Sequence, residues 1–213
     1  MKLMVAVPTT DYVHADFMTC LVKLSMHLAK CGVDVDVHIV GGTLVYIARN
    51  RLAGRAISLG YTHVLWLDSD MTFNENILDD LLFCGKDMVC GAFVSRRPPY
   101  GPCVYSDISD PANMIKVEDF GTEPFRVDGC GFAAVLTTTS ILKAVTDRFG
   151  PCFRPTGKYG EDLAFCMRAK KAGYEIWCDP TARVGHVASV VIWPEDVERL
   201  RGQLQMQDGM KLE

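Results

Sequence analysis

The segment Val64-Leu65-Trp66-Leu67-Asp68-Ser69-Asp70 decides the fold class, because an apolar run ends abruptly in two carboxylates. Such a run is typical of a strand that is buried on both faces. Hard oxygen donors at the end of a strand suit Mg²⁺ or Mn²⁺, although an isolated Asp-x-Asp is more often a turn or a helix cap. The sequence therefore predicts a strand from His63 to Leu67 with a candidate metal site at its C-terminal end.

Two strand-helix units precede this segment. The predicted strands are 2–7 and 33–40, and the predicted helices contain Phe17 to Leu28 and Leu44 to Leu59, with Thr43 as a candidate cap. Strand and helix in this alternation imply parallel strands joined by right-handed crossovers. Because ligands collect at the C-terminal ends of parallel strands, three turns are predicted to share one edge of the sheet. These turns are Pro8-Thr9-Thr10, Gly41-Gly42 and Asp68-Ser69-Asp70.

The remaining elements complete one α/β domain with a Rossmann-like, three-layer, mostly parallel sheet. They are a helix near 76–83, strands at 88–93, near 132–136 and at 175–178, and helices near 140–149 and 162–172. The domain is predicted to span 1–192, with a C-terminal helix and tail over 193–213. A loop from Arg96 to Pro102 combines two cations with three prolines, and we expect it to be mobile without ligand. Arg96 or Arg97 would then pair with a diphosphate, or the loop is simply basic and solvated.

Composition excludes several classes of protein. The chain has 213 residues, is 49% hydrophobic and contains no apolar run near the roughly 20 residues that cross a bilayer. A net charge of -4 with mixed signs argues against bulk binding of nucleic acid. The nine cysteines show no zinc-like spacing and suit reduced thiols, and the N-terminus resembles a strand rather than a signal peptide. We therefore expect a cytoplasmic protein without a transmembrane segment.

A second acidic cluster, Gly160-Glu161-Asp162, opens the predicted helix that ends near Ala172. Acids are common at a helix N-terminus because of the helix dipole, which also lowers a carboxylate pKa. A carboxylate beside a substrate can equally act as a general base. Further along, His186 is a candidate ligand for Mn²⁺, although a lone histidine is usually structural.

Taken together and in order, several segments resemble the GT-A fold glycosyltransferases (nucleotide-diphospho-sugar transferases), and most closely their family 2. The segments are Ala48-Arg49-Asn50, Leu65-Trp66-Leu67-Asp68-Ser69-Asp70, Gly129-Cys130-Gly131-Phe132, Gly160-Glu161-Asp162-Leu163-Ala164-Phe165-Cys166 and Gly185-His186. The resemblance covers the chain from Lys2 to His186 and implies a C-terminal portion on the acceptor side.

The resemblance also implies a role for each matching residue. Asp70 would ligate the metal that bridges the two donor phosphates, His186 would complete the metal site, and Asp68 would face the ribose or sugar as a further candidate ligand. Asp162 would be the base that deprotonates the acceptor, with Glu161 orienting either the acceptor or the base. The donor-binding residues would be Pro8, Thr9 and Thr10 under the nucleobase, Arg49 and Asn50 near the nucleotide, and Asp68 with Ser69; Gly129 to Phe132 would line the acceptor side.

The implied activity is a hexosyltransferase-like, inverting transfer from a nucleotide-diphosphate sugar to an acceptor hydroxyl, with Mn²⁺ or Mg²⁺. The acceptor is a glycan, a protein, a lipid or a modified nucleobase. Many relatives carry acids after the second strand, where this chain has Gly41-Gly42-Thr43. Asp36 or His38 would replace them in reading the base, or both are solvent-exposed.

Three other functions are alternatives to a glycosyltransferase. Asp68-Ser69-Asp70-Met71-Thr72 matches the motif of a haloacid dehalogenase-type phosphatase, in which Asp68 would be the nucleophile, but that motif normally follows the first strand. A nucleotidyltransferase would need a glycine-rich phosphate loop after the first strand, where this chain has Pro8-Thr9-Thr10-Asp11. A non-catalytic relative that binds nucleotide sugars would keep Asp70, Asp162 and His186 without turnover.

Overall fold

The computed structural model describes residues 1–189. Within them lie five α-helices, α1 (Ala15–Lys30), α2 (Val45–Ser58), α3 (Ile77–Phe83), α4 (Thr139–Phe149) and α5 (Glu161–Lys171). The strands are β1 (Lys2–Pro8), β2 (Asp34–Val40), β3 (His63–Leu67), β4 (Met71–Phe73), β5 (Met88–Ala92), β6 (Val104–Asp107), β7 (Ile115–Lys116), β8 (Phe125–Val127), β9 (Gly129–Cys130), β10 (Ala134–Thr138) and β11 (Ile176–His186). The predicted domain boundary at 192 and the predicted C-terminal helix and tail, 193–213, lie outside the described residues.

The central sheet has the strand order β2-β1-β3-β10-β5-β11-β4, and β8, outside this order, also pairs with β11. β1 pairs in parallel with β2 and β3, and β5 pairs in parallel with β11. β10 is antiparallel to both β3 and β5, while β4 and β8 are antiparallel to β11. β7, β6 and β9 form a small antiparallel sheet beside it. The prediction of an α/β protein with a mostly parallel central sheet is confirmed.

Helices cover both faces of the central sheet. In β1, Leu3, Val5 and Val7 pack toward α1 and α3, whereas Met4 and Ala6 pack toward α2, α4 and α5. Because successive side chains of a strand point to opposite faces, a strand between two helical layers must be apolar throughout. This requirement explains the unbroken apolar runs of β1 and β3.

The start of α2 differs from the prediction. Thr43 does not cap this helix, because Leu44 occupies the N-cap position and no side chain accepts a hydrogen bond there. The amide of Gly42 donates instead to the carbonyl of Thr10, which draws the turn toward the loop after β1. The backbone carbonyl of Leu44 then accepts the first helical bonds, from Ile47 and Ala48.

β11 is much longer than the predicted strand at 175–178. Its pairing with β5 shifts register between Asp179 and Arg183, and beyond this irregularity it pairs with β4 as far as His186. Gly185 permits that second pairing, because a Cβ atom there would lie 2.6 Å from Oγ1 of Thr72. A bulge re-aims a strand, and here it carries His186 to the edge of the sheet.

Among residues 1–189, no helix combines the length and the apolar character that crossing a lipid bilayer requires.

Candidate functional site

The turns that follow β1, β2 and β3 meet at one edge of the sheet. The amide of Thr9 donates to the carbonyl of Val40 (2.9 Å), and the amide of Gly42 donates to the carbonyl of Thr10 (2.5 Å). Ser69 Oγ lies 3.2 Å from Thr9 Oγ1 and donates to it. Parallel strands align their C-terminal ends, so these contacts follow from the topology. The prediction that the three turns share this edge is confirmed.

A cavity of about 430 Å³ opens at this edge. Its volume lies in the range of small-molecule and cofactor sites. Six of the residues that line it were predicted to bind donor or metal, and a seventh is an arginine of the predicted mobile loop. The complete lining is Pro8, Thr9, Thr10, Tyr12, Val13, His14, Val45, Asp68, Ser69, Asp70 and Arg96.

Sequence reasoning missed the contribution of the loop before α1. Tyr12 is 87% exposed at the cavity, and its carbonyl accepts a hydrogen bond from the Thr9 hydroxyl (2.7 Å). His14 caps α1 through Nδ1, while its backbone amide donates to the carbonyl of Ser69 (3.0 Å). The sequence does carry a signal for this contribution. Tyr12 and His14 follow the end of β1 directly and belong to no apolar period, which is typical of functional loop residues.

Gly41, the first of the two glycines after β2, leaves little room for a side chain, an acidic one included. A Cβ atom on Gly41 would lie 3.0 Å from Cγ2 of Thr9 and 3.1 Å from the carbonyl oxygen of Thr10. Asp36 and His38 do not replace such an acid, because both are paired with the Tyr61 hydroxyl (2.6 and 3.0 Å) and neither lines the cavity.

Arg49 connects the turn after β3 to the start of α5. Its side chain is only 3% exposed; Nη2 donates to Oδ1 of Asp68 (2.8 Å) and Nη1 donates to Oε1 of Glu161 (2.7 Å). The guanidinium also lies 5.3 Å from the ring centroid of Phe132. Burial alone lowers the Arg49 pKa, but Asp68, Asp162 and Glu161 outweigh it and raise the pKa. Arg49 is thus a permanent cation between two acidic segments.

Asp68 faces Arg49 through Oδ1. Burial raises the pKa of Asp68, whereas the charge and hydrogen bond of Arg49 oppose that rise. The guanidinium engages Oδ1, so in the phosphatase alternative Oδ2 of Asp68 would have to attack phosphorus while Oδ1 stays paired with Arg49.

Asn50 uses its side-chain oxygen inside the protein. Its Oδ1 accepts a hydrogen bond from the amide of Phe153 (2.8 Å), which ties α2 to the segment after α4. Asn50 does not line the cavity, so its predicted contact with the nucleotide finds no geometric support here.

His186 and Asp70 form the other half of the site. His186 Nε2 lies 3.4 Å from Oδ2 of Asp70, and Nδ1 lies 3.1 Å from the carbonyl oxygen of Val94. A carbonyl only accepts hydrogen bonds, so Nδ1 carries the proton and Nε2 is directed at Asp70. This is the arrangement by which proteins orient a histidine ligand toward a metal.

The predicted metal trio is not gathered into one cluster. Across residues 1–189, no three His, Cys, Asp or Glu side chains lie together as a set of metal ligands. Asp68 turns to Arg49, which leaves Asp70 and His186 as the pair of donors. One or two protein ligands suffice for Mg²⁺ or Mn²⁺ when substrate phosphates and water supply the rest. The donor set therefore fits a metal that is shared with a diphosphate.

Asp162 lies at the start of α5, where its Oδ1 accepts a hydrogen bond from the amide of Leu163 (2.7 Å). Its pKa is raised, chiefly by burial, with Glu161 and Asp68 adding to the rise and Arg49 opposing it. The expectation that the helix dipole keeps this pKa low is wrong, because burial outweighs it. A raised pKa makes Asp162 a stronger base once ionised.

β10 brings the predicted acceptor-side segment to the carboxylates. Because β10 runs antiparallel to β3, its first residues lie beside the last residues of β3, and the amide of Asp68 donates to the carbonyl of Ala133 (3.1 Å). A Cβ atom on Gly131 would lie 2.9 Å from Cζ of Phe93 and 3.6 Å from Oδ2 of Asp162. The segment from Gly129 to Phe132 therefore passes directly beside Asp162.

No described protein family matches the chain, and no curated protein sequence is similar to it. The fold of this chain is similar to that of 174 chains in solved structures. One of them, described as "Crystal Structure of A197 from STIV", superposes with a TM-score of 0.58 at 15% sequence identity. The similarity covers 91% of this chain and 97% of that one. At this identity the comparison shows that the two chains share a mixed α/β fold over nearly their whole lengths.

Proposed function

We propose that this protein is a GT-A-type glycosyltransferase, similar to family 2. It transfers a sugar from a nucleotide-diphosphate donor to an acceptor hydroxyl with the help of Mn²⁺ or Mg²⁺. The observation that carries this proposal is the position of Arg49, which holds Asp68 and Glu161 on either side of one guanidinium. Through it, the turn that would bind the donor and the helix that would carry the base are parts of one site.

The donor side of the proposal rests on the cavity at the sheet edge. Its walls combine backbone and hydroxyl groups near Thr9 and Thr10 with an exposed aromatic ring, Tyr12, on which a nucleobase can stack. Asp70, which lines this cavity, and His186 beside it would hold a metal, and the diphosphate would lie next to that metal. When bound, that metal stabilises the negative charge that develops on the departing diphosphate.

The acceptor side of the proposal rests on Asp162. Its raised pKa and its hydrogen bond from Leu163 leave Oδ2 as the oxygen that can take a proton from an acceptor hydroxyl. Gly131 lies next to Oδ2 of Asp162 and has no side chain that would fill the space there. Attack by the deprotonated hydroxyl opposite to the leaving diphosphate forms the new glycosidic bond and inverts the anomeric carbon.

Donor hydrolysis tests this function without a known acceptor. The protein is incubated with UDP-, GDP- and dTDP-sugars and Mn²⁺, and release of nucleoside diphosphate is measured. We expect slow release from at least one donor, and none with Asp70→Asn. Asp147→Asn, an exposed acid of α4, is the matched control and should behave as the wild type. Inorganic phosphate from simple phosphoesters would instead support the phosphatase, and no release from any donor would contradict the transferase.

A further inference from the structure

Arg96 contacts the carboxylate that the proposed function assigns to the metal. Its Nη1 donates to Oδ2 of Asp70, the same oxygen that faces Nε2 of His186. A guanidinium and a divalent cation both bind a carboxylate strongly, and two cations on the same carboxylate repel each other. Arg96 and a metal ion therefore compete for Asp70.

Arg96 also lies between two cavities. It lines the cavity of about 430 Å³ described above. It also lines a second cavity of about 290 Å³, together with His14, Asp70, Arg97 and residues 187–189. Its side chain is 44% exposed, so it can leave Asp70 without opening the core. The donor diphosphate would enter the space that the guanidinium already faces.

We infer that Arg96 is an exchangeable counter-ion that makes metal binding depend on the donor diphosphate, an inference that rests on the proposed function. Without donor, Arg96 neutralises Asp70 and disfavours the metal. The phosphate oxygens of the donor offer the guanidinium a bidentate partner, and Asp70 and His186 are then available to the metal that accompanies the diphosphate. By linkage, metal and nucleotide strengthen each other's binding by one common factor.

Binding of Mn²⁺ to the protein without nucleotide tests the competition. We expect Arg96→Ala to bind Mn²⁺ about fivefold or more tightly than the wild type, the lower end of typical coupling between ligands. Arg97→Ala removes the same charge from the neighbouring position and should change the affinity little. The gain should vanish in Asp70→Asn/Arg96→Ala, because its source is the release of Asp70.

Calorimetric titration with UDP, GDP and dTDP, with and without Mn²⁺, tests the coupling. We expect Mn²⁺ to strengthen binding of at least one nucleotide to the wild type, and to strengthen it less in Arg96→Ala. If Arg96→Ala binds Mn²⁺ with unchanged affinity and Asp70→Asn does not bind it, Arg96 is not a counter-ion of Asp70. The proposed function would stay intact. If even Arg96→Ala binds no Mn²⁺, both the counter-ion role of Arg96 and the metal-binding role of Asp70 are wrong.

Discussion

His186 Nε2 lies 3.4 Å from Oδ2 of Asp70, while the hydrogen bond from Nδ1 to the carbonyl of Val94 sets the orientation of the ring. His186 is the last residue of β11, and Asp70 directly precedes β4, which pairs antiparallel with that end of β11. Their approach is therefore a property of the sheet and not of a flexible loop.

Replacing His186 by Ala should raise the Mn²⁺ concentration needed for donor hydrolysis by about tenfold or more, the scale seen when the surroundings of a metal are disturbed. The measurement is a Mn²⁺ titration of nucleoside diphosphate release. Thermal unfolding without metal should change little, because the side chain lies at the sheet edge. His63→Ala, at the opposite end of β3, is the control, and a large loss of stability in His186→Ala alone would make His186 structural.

Replacing Asp162 by Asn should lower turnover by about 10²-fold or more, while donor and metal still bind. Asparagine keeps an oxygen for the amide of Leu163 but cannot accept the proton of the acceptor. The measurement is turnover with an identified acceptor, alongside donor affinity by calorimetry. Loss of donor binding, or a product that retains the donor's anomeric configuration by NMR, would contradict the role of Asp162.

The raised pKa of Asp162 also predicts a gain in stability for Asp162→Asn. Since the folded-state pKa lies above the unfolded value, the folded protein binds more protons between the two values, and stability falls as pH rises through that window. Asparagine does not titrate, so the variant should be more stable than the wild type at neutral pH. Urea unfolding at several pH values should show this advantage shrinking as the pH falls toward the ordinary carboxyl pKa and disappearing below it. A constant difference at all pH values would mean that charge is not its cause.

Replacing Arg49 by Ala should destabilise the fold by about 3 to 5 kcal/mol, because Asp68 and Glu161 would face each other without the buried cation. Arg49→Lys should be intermediate, since one ammonium does not match both carboxylates as the guanidinium fork does. Urea unfolding measures the free energy of unfolding of both variants. Arg51→Ala, an exposed position of the same helix, should have little effect; equal losses at the two positions would exclude a special role for Arg49.

Trypsin cleavage after Arg96 tests whether the loop from Arg96 to Pro102 closes over ligand. We expect cleavage to slow when a nucleoside diphosphate and Mn²⁺ are added, because the diphosphate would engage the arginine. Peptide mapping gives the rate at this bond, and cleavage after Lys143, an exposed residue of α4, provides the control. Equal rates at Arg96 with and without ligand would indicate a simple basic loop.

The first half of the fold was predictable because its signals are local. In β1, α1 and β2 the apolar period switches from a continuous run to helical spacing and then to alternation, and each switch matches an observed element. The edge that unites Thr9, Gly42 and Ser69 then follows from parallel connections alone. Local pattern and topology agree here, which is why the prediction succeeded.

The second half was less predictable because tertiary contacts decide it. β4, β8 and β9 have two or three residues each, too few to show any period, and β11 continues through Pro180 to a far end that pairs with β4. The double hydrogen bonding of Arg49 and the engagement of Asn50 with Phe153 are likewise long-range. An Ala-Arg-Asn tripeptide inside a helix carries no local sign of either contact.

The pairing of β4 with β11 also bears on when the proposed metal site can form. Met71 and His186 are register partners although they lie far apart in the sequence, and closing so long a loop is a late event in folding. During synthesis the N-terminal units emerge first, and Asp70 leaves the ribosome long before His186. A nascent chain would thus present only a lone carboxylate, and the chelating pair would form only after β11 has joined the finished sheet.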